Sequence, residues 1–255
     1  MPERTPDVGN YLLGRGSVFF DRYDADGNPT GELHLGNCPD FTINVSSDSL
    51  EHKNYQSGAA ETDIEVVREV KVELSFTLEE YAQDILLLAL LGEAGTVSQA
   101  SGTVTDESIT AKLNRWIKLA NRNVSNVVVT SSDGLTTYTE GTDYRVDGPT
   151  GRIYIDPAGS IPDGATLLVD YSYDTVALPT VQALKNAQVE GFVRFVPADD
   201  QQGPQWEAEI WKVRLRPDTA LSFIGDDWGQ IVLRGSVLKD STRPNNPYFH
   251  LIKRG

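Results

Sequence analysis

Cysteine is almost absent from this chain of 255 residues: Cys38 stands alone. One thiol permits no intrachain disulfide and cannot by itself build a thiolate metal site. Stability must therefore come from a core or from association, and Cys38 reads as a small buried apolar residue. Long hydrophobic runs are missing too. The most apolar stretch, residues 85–91, is seven residues long, against the roughly 18 that a spanning helix needs, so no membrane span is expected. The opening Met-Pro-Glu-Arg-Thr-Pro has neither the basic region nor the apolar segment of a secretory signal, which makes synthesis in the cytoplasm the expectation. Positive charge is scarce. Against 37 Asp and Glu stand 22 Lys and Arg, a net charge of −15. Residues 1–91 hold 17 acids and 6 bases, a local balance of −11. Binding to nucleic acid along the whole chain is disfavoured, because neutralising phosphates takes Lys and Arg. What is present, 39% hydrophobic and 23% charged residues without a long biased tract, suits a globular chain with a real core.

The hydrophobic periodicity is mostly two. Residues 17–23 read as a strand, the turn formers Asp24-Ala-Asp-Gly-Asn-Pro-Thr-Gly31 follow, and residues 32–35 begin a return strand. Phe41, Ile43 and Val45 alternate with Thr42, Asn44 and Ser46, the pattern of a half-buried strand. Residues 49–62 show neither periodicity and are expected to form a long irregular loop. Val70, Val72, Leu74, Phe76 and Leu78 then alternate with Lys71, Glu73, Ser75 and Thr77, in a phase that reaches back through Val66 and Ile64. Thr77-Leu-Glu-Glu80 has capping-box spacing, which predicts a helix from there to Leu91, closed by Gly92 in the left-handed conformation.

Residues 93–105 are small and polar, a linker composition that marks a domain boundary. Residues 106–120 fit both a helical stripe (Ile109, Leu113, Trp116, Ile117, Ala120) and alternation (Ile109, Ala111, Leu113), with strands the preferred reading. Short strands punctuated by Gly134, Gly141, Gly148, Gly151 and Gly164 fill the rest of the segment up to Leu178-Pro179. After it come strands over residues 189–196, 207–216 and 231–239. The apolar phase slips between Ile210 and Trp211, which predicts a bulge. The fold class is mainly β with a single helix, in two domains: residues 1–92 with 180–255, and an inserted domain over residues 93–179.

Catalytic signals are weak throughout. Asp24, Asp26 and Asn28 have calcium-loop spacing, but Pro29 stands where the Gly belongs and Leu35 where the Glu belongs, so a plain turn is the better reading. His34, His52 and His250 are far apart and form no paired ligand motif. There is no nucleophile elbow around a serine and no nucleotide-binding glycine motif. Asp226 and Asp227 beside Trp228 could serve a sugar site, yet Gly225 and Gly229 flank them as a turn would. Trp206 and Trp211 lie among acids as often as among bases, a poor base-stacking platform. Lys253 and Arg254 read as a solvated basic tail or an intersubunit ion pair. No enzyme activity, cofactor or metal is expected.

The order of elements carries a resemblance. Gly36-Asn-Cys-Pro-Asp-Phe-Thr-Ile-Asn-Val45, followed by residues 61–87 from Glu61-Thr-Asp-Ile to Gln83-Asp-Ile-Leu-Leu87, resembles the tail tube (major tail) protein family of long-tailed bacteriophages over residues 10–92 and 180–250. Residues 137–147, 151–155, 161–164 and 169–173 are similar to a β module inserted in phage tail proteins. The resemblance implies a β-sandwich or half-barrel with one flanking α-helix and an inserted small Ig-like β domain on the exterior. It implies a virion protein that self-assembles as stacked, hexameric rings into a hollow tube for DNA ejection, in contact with itself and with terminator, tape-measure and distal tail proteins. DNA would cross the lumen without specific binding.

The residues agree with this on two points. Thr42, Asn44, Ser46, Glu65, Glu69, Lys71, Glu73 and Ser75 would form one polar face, either a net negative lumen that repels phosphate or a solvated outer face. Within the 49–62 loop, Ser49, Leu50, Glu51, His52, Lys53, Asn54, Tyr55, Gln56, Ser57 and Gly58 would be the segment that crosses to a neighbouring ring, or a mobile surface loop. Two other readings stand beside the tube: a tail terminator or adaptor that forms a single ring, and an unrelated carbohydrate-binding β protein.

Overall fold

In the computed structural model the described residues are 5–56, 58–216 and 220–254. They are mainly β, with one α-helix among them. In chain order the elements are β1 (Gly16–Tyr23), β2 (Pro29–His34), β3 (Asp40–Asn54), β4 (Glu61–Leu78), α1 (Gln83–Ala89), β5 (Glu93–Gln99), β6 (Gly102–Thr110), β7 (Arg115–Lys118) and β8 (Val124–Ser131). They continue with β9 (Tyr144–Asp147), β10 (Arg152–Ile155), β11 (Thr166–Tyr173), β12 (Val176–Gln182), β13 (Val189–Pro197), β14 (Gln205–Arg216), β15 (Ile231–Val237) and β16 (Phe249–Arg254). The chain forms two compact units, Met1–Ala94 with Val181–Gly255, and Gly95–Thr180. Among the described residues no helix is long and apolar enough to cross a membrane.

The first unit is one antiparallel sheet in the order β2-β1-β13-β14-β15-β4-β3, with β16 paired to the free end of β14. Period-two alternation gives it one apolar face. Val18, Phe20, Val72, Leu74, Phe76, Leu78, Val193, Ile210, Val213 and Leu233 are buried there, with Ile85, Leu88 and Ala89 of α1 in the same core. The sheet curls on this face until Phe41 of β3 stacks on Phe195 of β13 at 5.7 Å. The bulge expected at Ile210/Trp211 is present: β14 carries an extra residue between Val213, opposite Gly191, and Ile210, opposite Val193.

The helix departs from expectation at both ends. Thr77 does not cap it, because Thr77 remains in β4 opposite Asp40 and Val232. Ala82 is the N-cap and offers no side-chain acceptor. Glu80 instead accepts from the Asn37 amide at 3.1 Å, which ties the β2–β3 connection to the helix entry. At the C-terminus the left-handed residue is Leu91 (φ 45), not Gly92. The amides of Leu91 and Gly92 return to the carbonyls of Leu88 and Leu87, the pairing of a Schellman motif. Gly92 is needed for space instead: a Cβ there would stand 3.0 Å from the Gln182 carbonyl oxygen.

Three further expectations are corrected. Residues 49–62 are not an irregular loop, since β3 and β4 pair through them from Ser49↔Val67 to Asn54↔Glu61. Backbone pairing supplies the order here, and with both faces in solvent no alternation was needed to mark it. Residues 93–105 are not a linker. They hold β5, which pairs with β12, and the start of β6. Cys38 is half-buried rather than core; burial pushes its thiol up to about 11, and its Sγ donates to the Asp40 carbonyl. Residues 106–120 are strand and turn, as preferred.

The second unit has a three-stranded sheet, β6-β11-β8, and a hairpin of β9 and β10; β7 lies beside β10, and Leu113, just ahead of β7, forms a parallel bridge with Ile155. Ile109, Leu119, Val129, Tyr144, Ile153, Ile155, Leu167 and Val169 form its core. Asp143, only 6% exposed, accepts from the amides of Thr139 at 2.8 Å and Ser160 at 2.7 Å. Those bonds hold its carboxyl below the usual carboxylate range. A depressed folded-state pKa gives stability that is complete above the unfolded value and is lost as pH falls through the folded one, so this contribution begins to fall below about pH 4 and is gone only below the depressed folded value. Asp143→Ala leaves two amides without their acceptor. We expect a loss of about 2 kcal/mol in urea denaturation at pH 7, with Asp143→Asn losing less.

Candidate assembly surface

Antiparallel partners share a face, so the register tests the proposed polar set directly. Thr42 lies opposite Ser75, Asn44 opposite Glu73, and Ser46 opposite Lys71, while Glu69 is paired with Asp48. These seven residues of the set lie on the face turned away from the core. Glu65 does not. Between Asp48↔Glu69 and Ser49↔Val67 the register skips Arg68, and this bulge inverts the phase of β4 relative to the rest of the strand. Glu65, opposite Glu51, therefore shares the face of Ser49 and Val67, and the polar face continues through Leu50, Val66 and Ile64. A strict two-residue period, extended backward from Val70, could not foresee the skipped residue.

The charge of this face also differs from a uniformly negative wall. Arg216 reaches Glu73 at 3.1 Å. Lys212 and Arg214 hold Glu190 at 3.2 and 2.5 Å. Arg194 touches Glu32 at 2.9 Å and both Glu207 and Glu209 at 2.7 Å, and His250 closes on Glu209 at 2.8 Å. Acids and bases meet from adjacent strands, as Glu190 with Arg214 does, or across one intervening strand, as Glu73 with Arg216 and Glu32 with Arg194 do, so the face is a lattice of cross-strand ion pairs. These pairs are partly exposed and each contributes modestly to stability. Their stronger effect is to leave few cations available to a passing phosphate. Arg254, expected in a solvated tail or an intersubunit ion pair, belongs to the lattice within the chain: β16 places its Nε 3.6 Å from Glu207.

At the other end of the same strands the sheet gives way to a ribbon. The last residue of β4 opposite β15 is Glu73, yet β3 and β4 stay paired out to Asn54↔Glu61. Leu50, Val66, Ile64, Val67, Val70 and Tyr55 are all at least half exposed on this arm, Tyr55 the most at 77%. Of the inter-ring segment, Ser49 to Asn54 belong to the arm's first strand, and Tyr55, Gln56 and Gly58 to its turn; Ser57 lies outside the described residues. His52 meets Asp63 at 2.6 Å and Thr62 donates to Glu51 at 3.1 Å, both across the ribbon.

Sequence reading missed a cleft of about 1020 Å³ on the polar face, bounded by Tyr23, Phe192, Trp211, Arg243, His250 and Asp240. The bulge in β14 sets Trp211 there. The Arg243 guanidinium lies 3.9 Å over its ring, and Phe192 stacks beside it at 5.9 Å. Tyr23 donates to the Trp211 carbonyl at 2.6 Å, and burial followed by the nearby Asp240 carboxylate pushes the phenol up. The phase slip at Trp211 was the one available signal. The remaining candidates stay apart. Asp24 accepts from the amides of Asp26 and Asn28 in a tight turn. His34, His52 and His250 sit on β2, β3 and β16. Asp226 and Asp227 lie in an exposed loop where Trp228 is 89% and Ile224 95% accessible.

The model of the family described as Protein of unknown function UCP028589 matches residues 11–250, and the chain belongs to this family. No curated protein matches the chain.

Proposed function

We propose that this member of the UCP028589 family is a structural subunit of a phage tail tube, polymerising as stacked, hexameric rings into a conduit for genomic DNA. The observation that carries the reading is the β3–β4 arm. A two-stranded ribbon is marginal in water on its own, and this one displays Leu50, Ile64 and Val66 along a single face. Such a face is stable once covered, and a neighbouring copy in the next ring supplies the cover. Among the described residues β2 and β3 are the outer strands of the sheet, and pairing between subunits would satisfy the amides and carbonyls of their outer edges. Thr42, Asn44, Ser46, Glu69, Lys71, Glu73 and Ser75 are the lumen residues in this reading. Arg216 and Lys71 are engaged with Glu73 and Glu69, so DNA passes without the Lys and Arg contacts that produce retention.

The test is to replace Glu69 and Glu73 together by lysine. Assembled wild-type particles should release DNA at physiological salt. The Glu69→Lys, Glu73→Lys particles should retain it, with retention falling steeply as salt rises. If the variant assembles and passes DNA like the wild type, the face does not line the lumen.

A further inference from the structure

Of the six bases of residues 95–180, Arg115 and Lys118 lie on β7, Arg145 on β9 and Arg152 on β10, with Lys112 ahead of β7 and Arg122 ahead of β8, although the segment carries ten acids. The outward face of β7, β9 and β10 is also where the aromatic residues come together. Arg145 lies opposite Tyr154 in the β9–β10 register, with its guanidinium 4.4 Å over the phenol ring. On the other side of Tyr154, Trp116 of β7 packs at 5.4 Å with the rings inclined by 53°. Arg152 then lies 5.2 Å from the indole. The row therefore runs Arg145, Tyr154, Trp116, with Arg152 beside the indole.

We infer that this face is a binding site for a carboxylated carbohydrate chain, with Trp116 as the platform for a sugar ring and Arg145 as the partner of its carboxylate. The division of roles follows from what each group already does. Arg152 is committed, donating to Asp147 at 2.5 Å and to the Thr150 hydroxyl at 2.7 Å. Arg145 is held flat by Tyr154 but stands 3.9 Å from its one carboxylate neighbour, Asp156, with its side chain 58% exposed. A guanidinium fixed in orientation and only loosely paired is ready to fork onto a carboxylate. Tyr154 is held in turn by donating to Asn114 at 2.6 Å. With Tyr154 at its edge and Arg152 over part of its ring, Trp116 still keeps 46% of its surface in solvent, a large exposure for an indole.

The same geometry argues against a nucleic acid. Single strands bind on successive stacking platforms in a basic groove. Here Tyr154 is enclosed between Arg145 and Trp116, which leaves one ring of the row accessible rather than a succession of platforms. A carboxylated sugar chain presents an apolar C–H face to a single indole, and a planar carboxylate that matches the guanidinium fork. The inference does not depend on tube assembly.

The test is titration calorimetry of the full chain with oligogalacturonate, with neutral dextran oligomers and oligothymidylate as comparators. Oligogalacturonate should bind at least tenfold tighter than either comparator and weaken with salt. Arg145→Gln and Trp116→Ala, both at exposed positions, should each reduce affinity fivefold or more with unchanged circular dichroism, whereas Lys239→Gln should bind as the wild type. Binding of oligogalacturonate no tighter than dextran, wild-type affinity in both variants, or equal binding of oligothymidylate would each overturn the assignment.

Discussion

Exchanging Leu50 for lysine and Val66 for aspartate together should abolish polymer formation and leave the subunit's melting temperature within about 2 °C of wild type. The two residues lie directly opposite each other on β3 and β4, 58% and 56% exposed. Neither has core packing to lose, and surface substitutions of this kind change stability by about 0.5 kcal/mol or less. The chosen charges attract across the strands, so the ribbon keeps its register. What changes is the docked state, where two ionised groups would enter an apolar contact at a cost of several kcal/mol each. Sedimentation velocity measures the assembly and circular dichroism the melting. Polymers at wild-type concentration would show that the arm's apolar face takes no part in assembly. A melting point well below wild type would show instead that the arm is part of the monomer's own core.

Phe76→Ala should destabilise the first unit by about 4 kcal/mol, the usual range for emptying a buried phenylalanine site. Phe76 is fully buried. It lies opposite Leu233 on one side and Phe41 on the other, and Phe41 is the residue that stacks on Phe195 where the sheet curls. Removing the ring both opens a cavity and loosens the curl. For a unit of this size the loss corresponds to a fall of about 10 °C in melting temperature. Phe76→Leu, which refills most of the space, should cost less than half as much. A loss below about 1 kcal/mol for the alanine variant would mean that the curled face is not the core.

What the sequence disclosed and what it hid follow from the same physics. Val72, Leu74, Phe76 and Leu78 were legible because one face of β4 is buried and the other wet, and burial writes a period of two into the residues. Trp211 was legible as a slip because a bulge inverts that period. The arm was not, since its strand residues 49–54 and 61–67 have no buried side and backbone pairing leaves no mark on side-chain type. For the same reason Glu65 was assigned to the wrong face: the skipped Arg68 lies in a region with no burial to record the shift. The ion-pair lattice was hidden differently. Glu32, Arg194 and Glu207 are remote in sequence and meet only through the strand order β2-β1-β13-β14, which alternation alone does not specify. Thr77 and Glu80 had the right spacing for a helix cap, but the β4 ladder continued through Thr77 and took precedence over local propensity.

In the tube, the arm and the outer sheet edges of each subunit would be covered by further copies of this chain. Negative-stain electron microscopy of the purified full chain over a range of concentrations tests this most directly. Hollow rings, and stacks of rings or tubes, should increase with concentration. Isolated particles of single-chain size at every concentration up to several milligrams per millilitre would contradict it.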